Sequence, residues 1–495
     1  MERESAKISI IFPLIAASLA VCLYFKTIHF KFAYDDILRI EYNSLVQAPV
    51  AEGWNFKRII TSPAPPGNLY RPLSTLSYRF NMLMAWNSPG SFHVLNIFLF
   101  FFCVFTVARL YEFFIGDKLI SFIASLIFAA HPICIEAVAN IVGRQEVLAA
   151  VFGLASITWL IQTYQRPKFF FFIGLIISVL LLFLAIHSKE SAYTFAAIVP
   201  LSVFYIKHKF DSRFFWILAS FIIVAIFCLI IRSMVLADQI LITSDKNTIF
   251  FENPVFHLDF TQRIIPGLFL LSKYAQLIIL PFKQAADYSI QANIFFDQIY
   301  SVLGILQIGI LFILLSSIFR YRKQSWSLFG LWFFISFALT LNIITPIGTL
   351  MGERLAFFPA IGLIGFLIPL FFDVGKSLNL SRKHIAIAFC FLACVLALIT
   401  SHRMLKWKDH ASIYKATAID APQSPKAALN LGIHYMLREE NFPAAKAELK
   451  RAIHLAPNYI NAMQLLVRIA EIENNNQDSD YWKKEIGKIE TRNKS

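Results

Sequence analysis

Charge is what this chain has least of. Only 15% of its 495 residues are Asp, Glu, Lys or Arg, against about 25% in soluble globular proteins. That excludes an ordinary water-soluble fold for most of the length. The six cysteines (Cys22, Cys103, Cys134, Cys228, Cys390 and Cys394) lie in or beside apolar segments, with none near the C-terminus. They imply no disulfide framework, and they show no metal-ligand spacing. No aromatic-and-basic module points to nucleic acid. The net charge of +14 instead fits basic cytoplasmic loops and contact with anionic lipid. The first apolar segment, 8–25, is longer than a signal-peptide core and lacks a clear small-residue cleavage site. It is expected to be a retained signal anchor.

What the chain has in abundance is apolar runs, with 57% hydrophobic residues. Twelve segments stand out, at 8–26, 92–114, 119–133, 146–164, 169–187, 191–206, 214–236, 264–281, 298–319, 326–346, 355–372 and 384–401. Runs of about 18 or more such residues are the mark of membrane-spanning helices. The connections at 165–168, 207–213, 320–323 and 376–384 are basic and should lie in the cytoplasm. All four fall there if the N-terminus is inside and one segment between 214 and 319 fails to cross. Segment 264–281, interrupted by Pro266 and Gly267 and carrying Lys273, is the natural exception. The expectation is an all-α bundle of about eleven crossings over residues 1–401, with residues 402–495 outside the cytoplasm.

That topology brings the polar clusters to one face. The long outer loop 27–91 carries Asp35 and Asp36 directly after the first crossing, then Arg71 and Arg79. His131, Glu136, Arg144 and Glu146 punctuate an otherwise apolar stretch, and Lys189-Glu190 separates two apolar runs. Asp287-Tyr288 and Glu353-Arg354 complete the set. Carboxylates beside a bilayer are costly unless solvated, paired or used. A sugar transfer needs a carboxylate to take the proton of an attacking hydroxyl. It also needs cations at a departing phosphate, for which arginine offers a planar fork. Adjacent residues point in different directions, so one of Asp35 and Asp36 is expected to be the base. Arg144 and Arg354 are expected at the phosphate, with Lys189 a weaker partner. The plainer readings are a solvated acidic loop, an Arg144 bridge to Glu136 or Glu146, a Lys189–Glu190 turn, and an Arg354 that reaches for lipid headgroups.

The C-terminal stretch reads as helical. Asn430-Leu431-Gly432, Tyr435, Ala445, Ala452 and Pro457 nearly follow the tetratricopeptide pattern. A more degenerate helix pair follows at 460–489.

Taken in order, these motifs resemble the transmembrane-and-tetratricopeptide-repeat O-mannosyltransferases, a family of the GT-C class. The similar pieces are Tyr34-Asp35-Asp36, Tyr70-Arg71-Pro72-Leu73, Phe92-His93 with Asn96, and His131-Pro132 with Glu136, Val142-Gly143-Arg144 and Glu146. Ser188-Lys189-Glu190, Asn253-Pro254, Leu280-Pro281 with Asp287-Tyr288-Ser289, Pro346-Ile347-Gly348-Thr349 with Glu353-Arg354, and Trp407 follow. The resemblance implies a GT-C bundle, a polyprenyl-phosphate-linked monosaccharide donor, a hydroxyl acceptor on protein or glycan, and transfer at the extracytoplasmic face. It implies no certain cofactor and leaves a divalent metal open. The repeat array, about one and a half units, is shorter than in better-known members. That suggests a bacterial inner-membrane protein facing the periplasm, with undecaprenyl phosphate as carrier. A non-catalytic assembly scaffold built around the repeat is one rival, against which the small size of that domain argues, and two further rivals share the composition. A flippase for lipid-linked sugars would carry its charges near the bilayer midplane, whereas here they sit at segment ends. An enzyme of the same class that transfers an oligosaccharide is the other.

Overall fold

The computed structural model describes residues 10–64, 69–84, 87–236 and 252–492. Among the described residues it is all-α, with no strand and a lone bridge between Ala64 and Leu69. Among the described residues eight helices are long and apolar enough to cross a membrane, or nine if the bent pair Lys118–Ala130 with Pro132–Val138 is one span. The protein is therefore a multi-pass membrane protein. Pro89–Ile115, with 27 residues at about 1.5 Å each, extends roughly 40 Å. Phe357–Ser377 runs through the interior, buried from Phe357 to Phe366 without a break. Ser212–Val235 and Val302–Arg320 lie at the rim, exposing Phe215, Ile223, Leu303 and Phe312, the faces that acyl chains would cover.

The remaining expected crossings are shorter helices. Segment 191–206 forms Phe195–Lys207, of 13 residues, and segment 326–346 forms Ser327–Ser336, of only 10. Ten residues rise about 15 Å, half a hydrocarbon core. The latter helix ends at Ser336, and beyond it Asn342 adopts a left-handed backbone at φ 59°. The Asn342 side chain donates to the Thr349 and Leu350 carbonyls and accepts from Ile347 and Asn253. Segment 264–281 gives the 16-residue helix Ile264–Ile279. Gly362 lets the helices Ser327–Ser336 and Phe357–Ser377 meet, since a Cβ there would lie 2.6 Å from the Phe333 amide nitrogen. Small residues serve this purpose at membrane helix contacts.

Two local features aim the chain toward the site. Lys118–Ala130 ends at His131, whose extended backbone (ψ 128°) is what a residue before proline favours. The chain bends by 48° there and continues as the short helix Ile135–Val138 carrying Glu136. In the loop region 27–91, Pro72 at its first turn starts the helix Pro72–Leu83, where its fixed φ and missing N–H cost nothing. Arg79 on this helix is buried and donates to the carbonyls of Val46, Ala48, Pro49 and Gly53. It is a clamp on the loop, not a ligand-facing cation.

Beyond the helix Arg382–Met404 come His410–Asp420 and two antiparallel hairpins, Pro425–Leu437 with Phe442–Leu455 and Ile460–Ile472 with Asn476–Arg492. Their shared core is Ala428, Leu429, Ala445, Leu449, Ala452, Ala462, Leu466 and Ile469. Gly432 packs directly on Leu449, where a Cβ would stand only 2.9 Å from Leu449 Cγ. This C-terminal region rests on the segments around Lys31 and Glu252. Lys31 N–H donates to the Lys408 carbonyl at 2.9 Å, and Lys426 pairs with Glu252 at 3.0 Å.

Candidate active site

Asp35 and Asp36 diverge. Asp36 is buried and accepts the backbone N–H groups of Ala33 (3.1 Å) and Val142 (2.9 Å). It ties residues 33–36 to the turn before Arg144. Burial pushes its carboxyl up to about 7, against the pull of those two amides. Asp35 faces outward with 34% of its side chain exposed, and its Oδ2 lies 2.7 Å from Arg354 Nη1. Burial would raise its carboxyl, but Arg354, with help from Arg39 and Lys426, brings it below the ordinary carboxylate value.

Arg354 is held from the other side by Glu136, which accepts its backbone N–H at 2.9 Å and lies 3.6 Å from its Nε. Its guanidinium keeps 28% exposure. A second polar group adjoins. Glu190 joins Arg71 and Arg232, each at 2.8 Å. Burial opposes ionisation of Glu190, but the two guanidiniums outweigh it and hold the carboxyl well below the usual range. Arg71 also donates to Gln145. The two groups share one field: burial, then the charge of Arg71, lowers Arg39 to about 10, with Asp35 and Arg354 also acting on it.

Other expected site residues have different work. Arg144 is fully buried, and its donors go to Asn96 Oδ1 (2.6 Å), Asn81 Oδ1 (2.8 Å) and the carbonyls of Ser77 and Phe92 (both 2.9 Å). It bridges neither Glu136 nor Glu146, and four of its five N–H donors are spent on these acceptors inside the fold. His131 is spent too: Nδ1 accepts from Ile133 N–H and Nε2 meets the Ile278 carbonyl at 2.7 Å. Lys189 pairs with Glu146, which also accepts from Ser191. It does not pair with Glu190. Burial lowers Lys189 to about 8 even though Glu146 supports its charge. Glu353 turns away from Arg354 to a bidentate pair with Arg403 (2.6 and 2.7 Å), and Tyr288 donates to it at 2.9 Å. Asp287 accepts from Ser289 and from Ser424 Oγ, both at 2.6 Å. It therefore fastens the start of Pro425–Leu437 rather than facing an open site. Among the described residues no group of three or more His, Cys, Asp or Glu comes together as a metal site, so the metal left open by the sequence has no donor set there.

Sequence reasoning missed Arg39, Arg232, Lys426 and Arg403. Only Arg39 carried a local signal, one helical turn after Asp35 with its N–H on the Asp35 carbonyl. The others come from the end of an apolar helix or from the C-terminal helices.

The fold and site define an all-helical, multi-pass membrane protein in which two partly exposed carboxylates, Asp35 and Glu190, are paired with arginines. No family model matches the chain. The chain is similar to a protein O-mannosyl-transferase of Caenorhabditis elegans, 26% identical over 434 residues, 85% of this chain and 59% of that protein. It is also similar to the protein O-mannosyl-transferase TMTC3 of Mus musculus, 24% identical over 487 residues, 91% of this chain and 51% of that one. A shorter stretch of 148 residues is 35% identical to TMTC2 of Mus musculus, 29% of this chain and 18% of that one. These are the proteins that the motif resemblance points to. The chain spans about half the length of the curated relatives it matches over most of its own. The relatives are animal proteins, so they lend nothing to the bacterial placement suggested by the short array.

Proposed function

We propose that this chain is a membrane glycosyltransferase of the GT-C class that moves a single sugar from a polyprenyl-phosphate carrier to a hydroxyl group on protein. The names of its relatives support sugar transfer to protein. The site of the reaction is the face carrying Asp35, away from the cytoplasm. The observation that carries this reading is Asp35: it is the exposed member of the acidic pair and stands 2.7 Å from Arg354.

Asp35 takes the proton of the acceptor hydroxyl. The acceptor oxygen bonds to the anomeric carbon, the bond from that carbon to the carrier phosphate breaks, and its electron pair leaves with the phosphate. Arg354 and Arg71 face the growing negative charge, where a preorganised donor is worth about 3–4 kcal/mol in the transition state. Glu136 and Glu190 hold these two guanidiniums in place. Arg144, buried with four of its five N–H donors spent inside the fold, serves as frame. The test is transfer by purified protein from a polyprenyl-phosphate monosaccharide to a serine- or threonine-bearing peptide, read by mass spectrometry. Asp35→Asn should slow turnover by about 10²- to 10⁴-fold, the usual worth of a general base, while donor binding persists. Parental turnover by Asp35→Asn would remove Asp35 from the reaction.

A further inference from the structure

The peptide that presents Asp35 is held by the far end of the chain. Tyr34 sits at φ 53°, a left-handed conformation that a bulky residue keeps only where its surroundings over-determine it. Its backbone N–H donates to His410 Nδ1 at 3.2 Å, across 376 positions of sequence. The Tyr34 ring lies edge-on between Trp407 and Tyr414, each with centroid 6.0 Å away. His410 is itself fixed. Its ring stands 4.4 Å from that of Tyr414, and Asp409 caps its helix by accepting the Ser412 N–H at 2.8 Å.

We propose that His410 is a positioning residue for Asp35: by accepting the Tyr34 N–H it holds the left-handed turn that places the carboxylate against Arg354. The proposal rests on the reading of Asp35 as the base. An accepting Nδ1 requires a neutral ring with its proton on Nε2. Burial, then the charges of His434 and Arg438, lowers His410 to about 4, so the ring stays neutral at physiological pH. On its other side the peptide is pinned by Asp36, through Ala33 and Val142. Asp35 thus stands between two fixed points, one in the membrane domain and one in the C-terminal helices. Release of the His410 point lets Tyr34 relax to negative φ and swings the carboxylate. A displacement of about 1 Å costs on the order of 10²-fold in rate. Seating of the C-terminal helices is thereby a condition for turnover, in addition to any part they play in holding an acceptor.

Two variants separate the hook from mere packing. His410→Leu fills the space and offers no acceptor, whereas His410→Asn offers an amide oxygen near the position of Nδ1. In the full-length protein, His410→Leu should lower kcat on the order of 10²-fold with the donor KM unchanged, and His410→Asn should restore most of it. Exchange of the Tyr34 amide, followed by mass spectrometry of the peptide around Asp35, should quicken in His410→Leu and return toward the parent in His410→Asn. Parental kcat in His410→Leu beside an inactive Asp35→Asn overturns the hook and leaves the base reading standing. A His410→Asn protein as slow as His410→Leu also overturns it. Parental activity in Asp35→Asn sinks the base reading instead, and the proposal that rests on it, while amide exchange still reports on the contact alone. Equal exchange in parent and His410→Leu overturns the hook whatever the donor.

Discussion

Replacing Arg144 with alanine should cost the fold more than it costs the chemistry. Arg144 is fully buried and joins two asparagine side chains and two backbone carbonyls drawn from the helices Pro72–Leu83 and Pro89–Ile115. Its guanidinium also lies over the rings of Tyr78 (5.1 Å) and Phe92 (5.4 Å). Alanine leaves Asn96 Oδ1, Asn81 Oδ1 and both carbonyls without that donor, and each buried acceptor so stranded costs about 1–3 kcal/mol. Such terms do not add, and single substitutions rarely exceed about 4–5 kcal/mol. A loss near that ceiling is a large share of a stability of about 5–15 kcal/mol. Lysine keeps the charge but reaches fewer acceptors, so it should fall between alanine and the parent. The assay is thermal unfolding of detergent-purified protein, with turnover counted per folded molecule. An Arg144→Ala protein that melts like the parent yet turns over 10²-fold more slowly would place Arg144 at the donor phosphate and refute the framework role.

Three further outcomes follow from named contacts. The acid limb of kcat/KM should lie below about pH 4, because Arg354 holds Asp35 under the ordinary carboxylate value. A limb near 7 would instead identify Asp36, whose burial sets it at about 7. By the same sign, the stability that Asp35 draws from its pair is present above about pH 4 and is lost as pH falls through its lowered value. Arg403→Leu should destabilise by about 3–5 kcal/mol by stranding the buried Glu353, and the double variant with Glu353→Met should recover much of that loss in unfolding experiments. Gly432→Val should loosen the first C-terminal hairpin by about 1–3 kcal/mol, since a Cβ there already crowds Leu449 at 2.9 Å. Faster limited proteolysis within 425–455 would report it, and an unchanged digest would show that the hairpin has slack.

How much of this could be read from sequence depends on the reach of each contact. The long apolar helices were legible because hydropathy is local, as in Pro89–Ile115. The bounds of run 326–346 were less legible, because composition stays apolar to Ile344 while the helix ends at Ser336 and Asn342 adopts a left-handed backbone. The divergence of Asp35 and Asp36 was legible because neighbours in a chain cannot share a direction. Their partners were not, since Asp35 meets Arg354 across 319 positions and Asp36 meets Val142 across 106. Arg144 shows the limit most clearly. A fork that suits a phosphate suits two asparagines and two carbonyls equally well, and only the fold decides between them. Polar Asn81 and Asn96 within otherwise helical, buried faces were the available hint that an internal partner existed.

The contact between Asp35 and Arg354 sets two demands against each other. A carboxylate held low by a guanidinium is ionised throughout the physiological range, but it is also a weak base. Arg354 cannot serve the departing phosphate fully while its Nη1 remains on Asp35 at 2.7 Å. Both difficulties are relieved by the same movement. Under the proposed function, a donor phosphate would draw the guanidinium toward itself while Glu136 keeps the other edge of Arg354 anchored, and Asp35 would lose its cation just when an acceptor hydroxyl needs a stronger base. The partial exposure of both side chains, 34% and 28%, gives this exchange room that the sealed Glu353–Arg403 pair lacks, at 1% and 10%. Proton transfer is then coupled to donor binding, and the acid limb of kcat should lie at higher pH than that of kcat/KM. Coincident limbs would mean that Arg354 never leaves Asp35, and the phosphate would then have to be held by Arg71 and its neighbours alone.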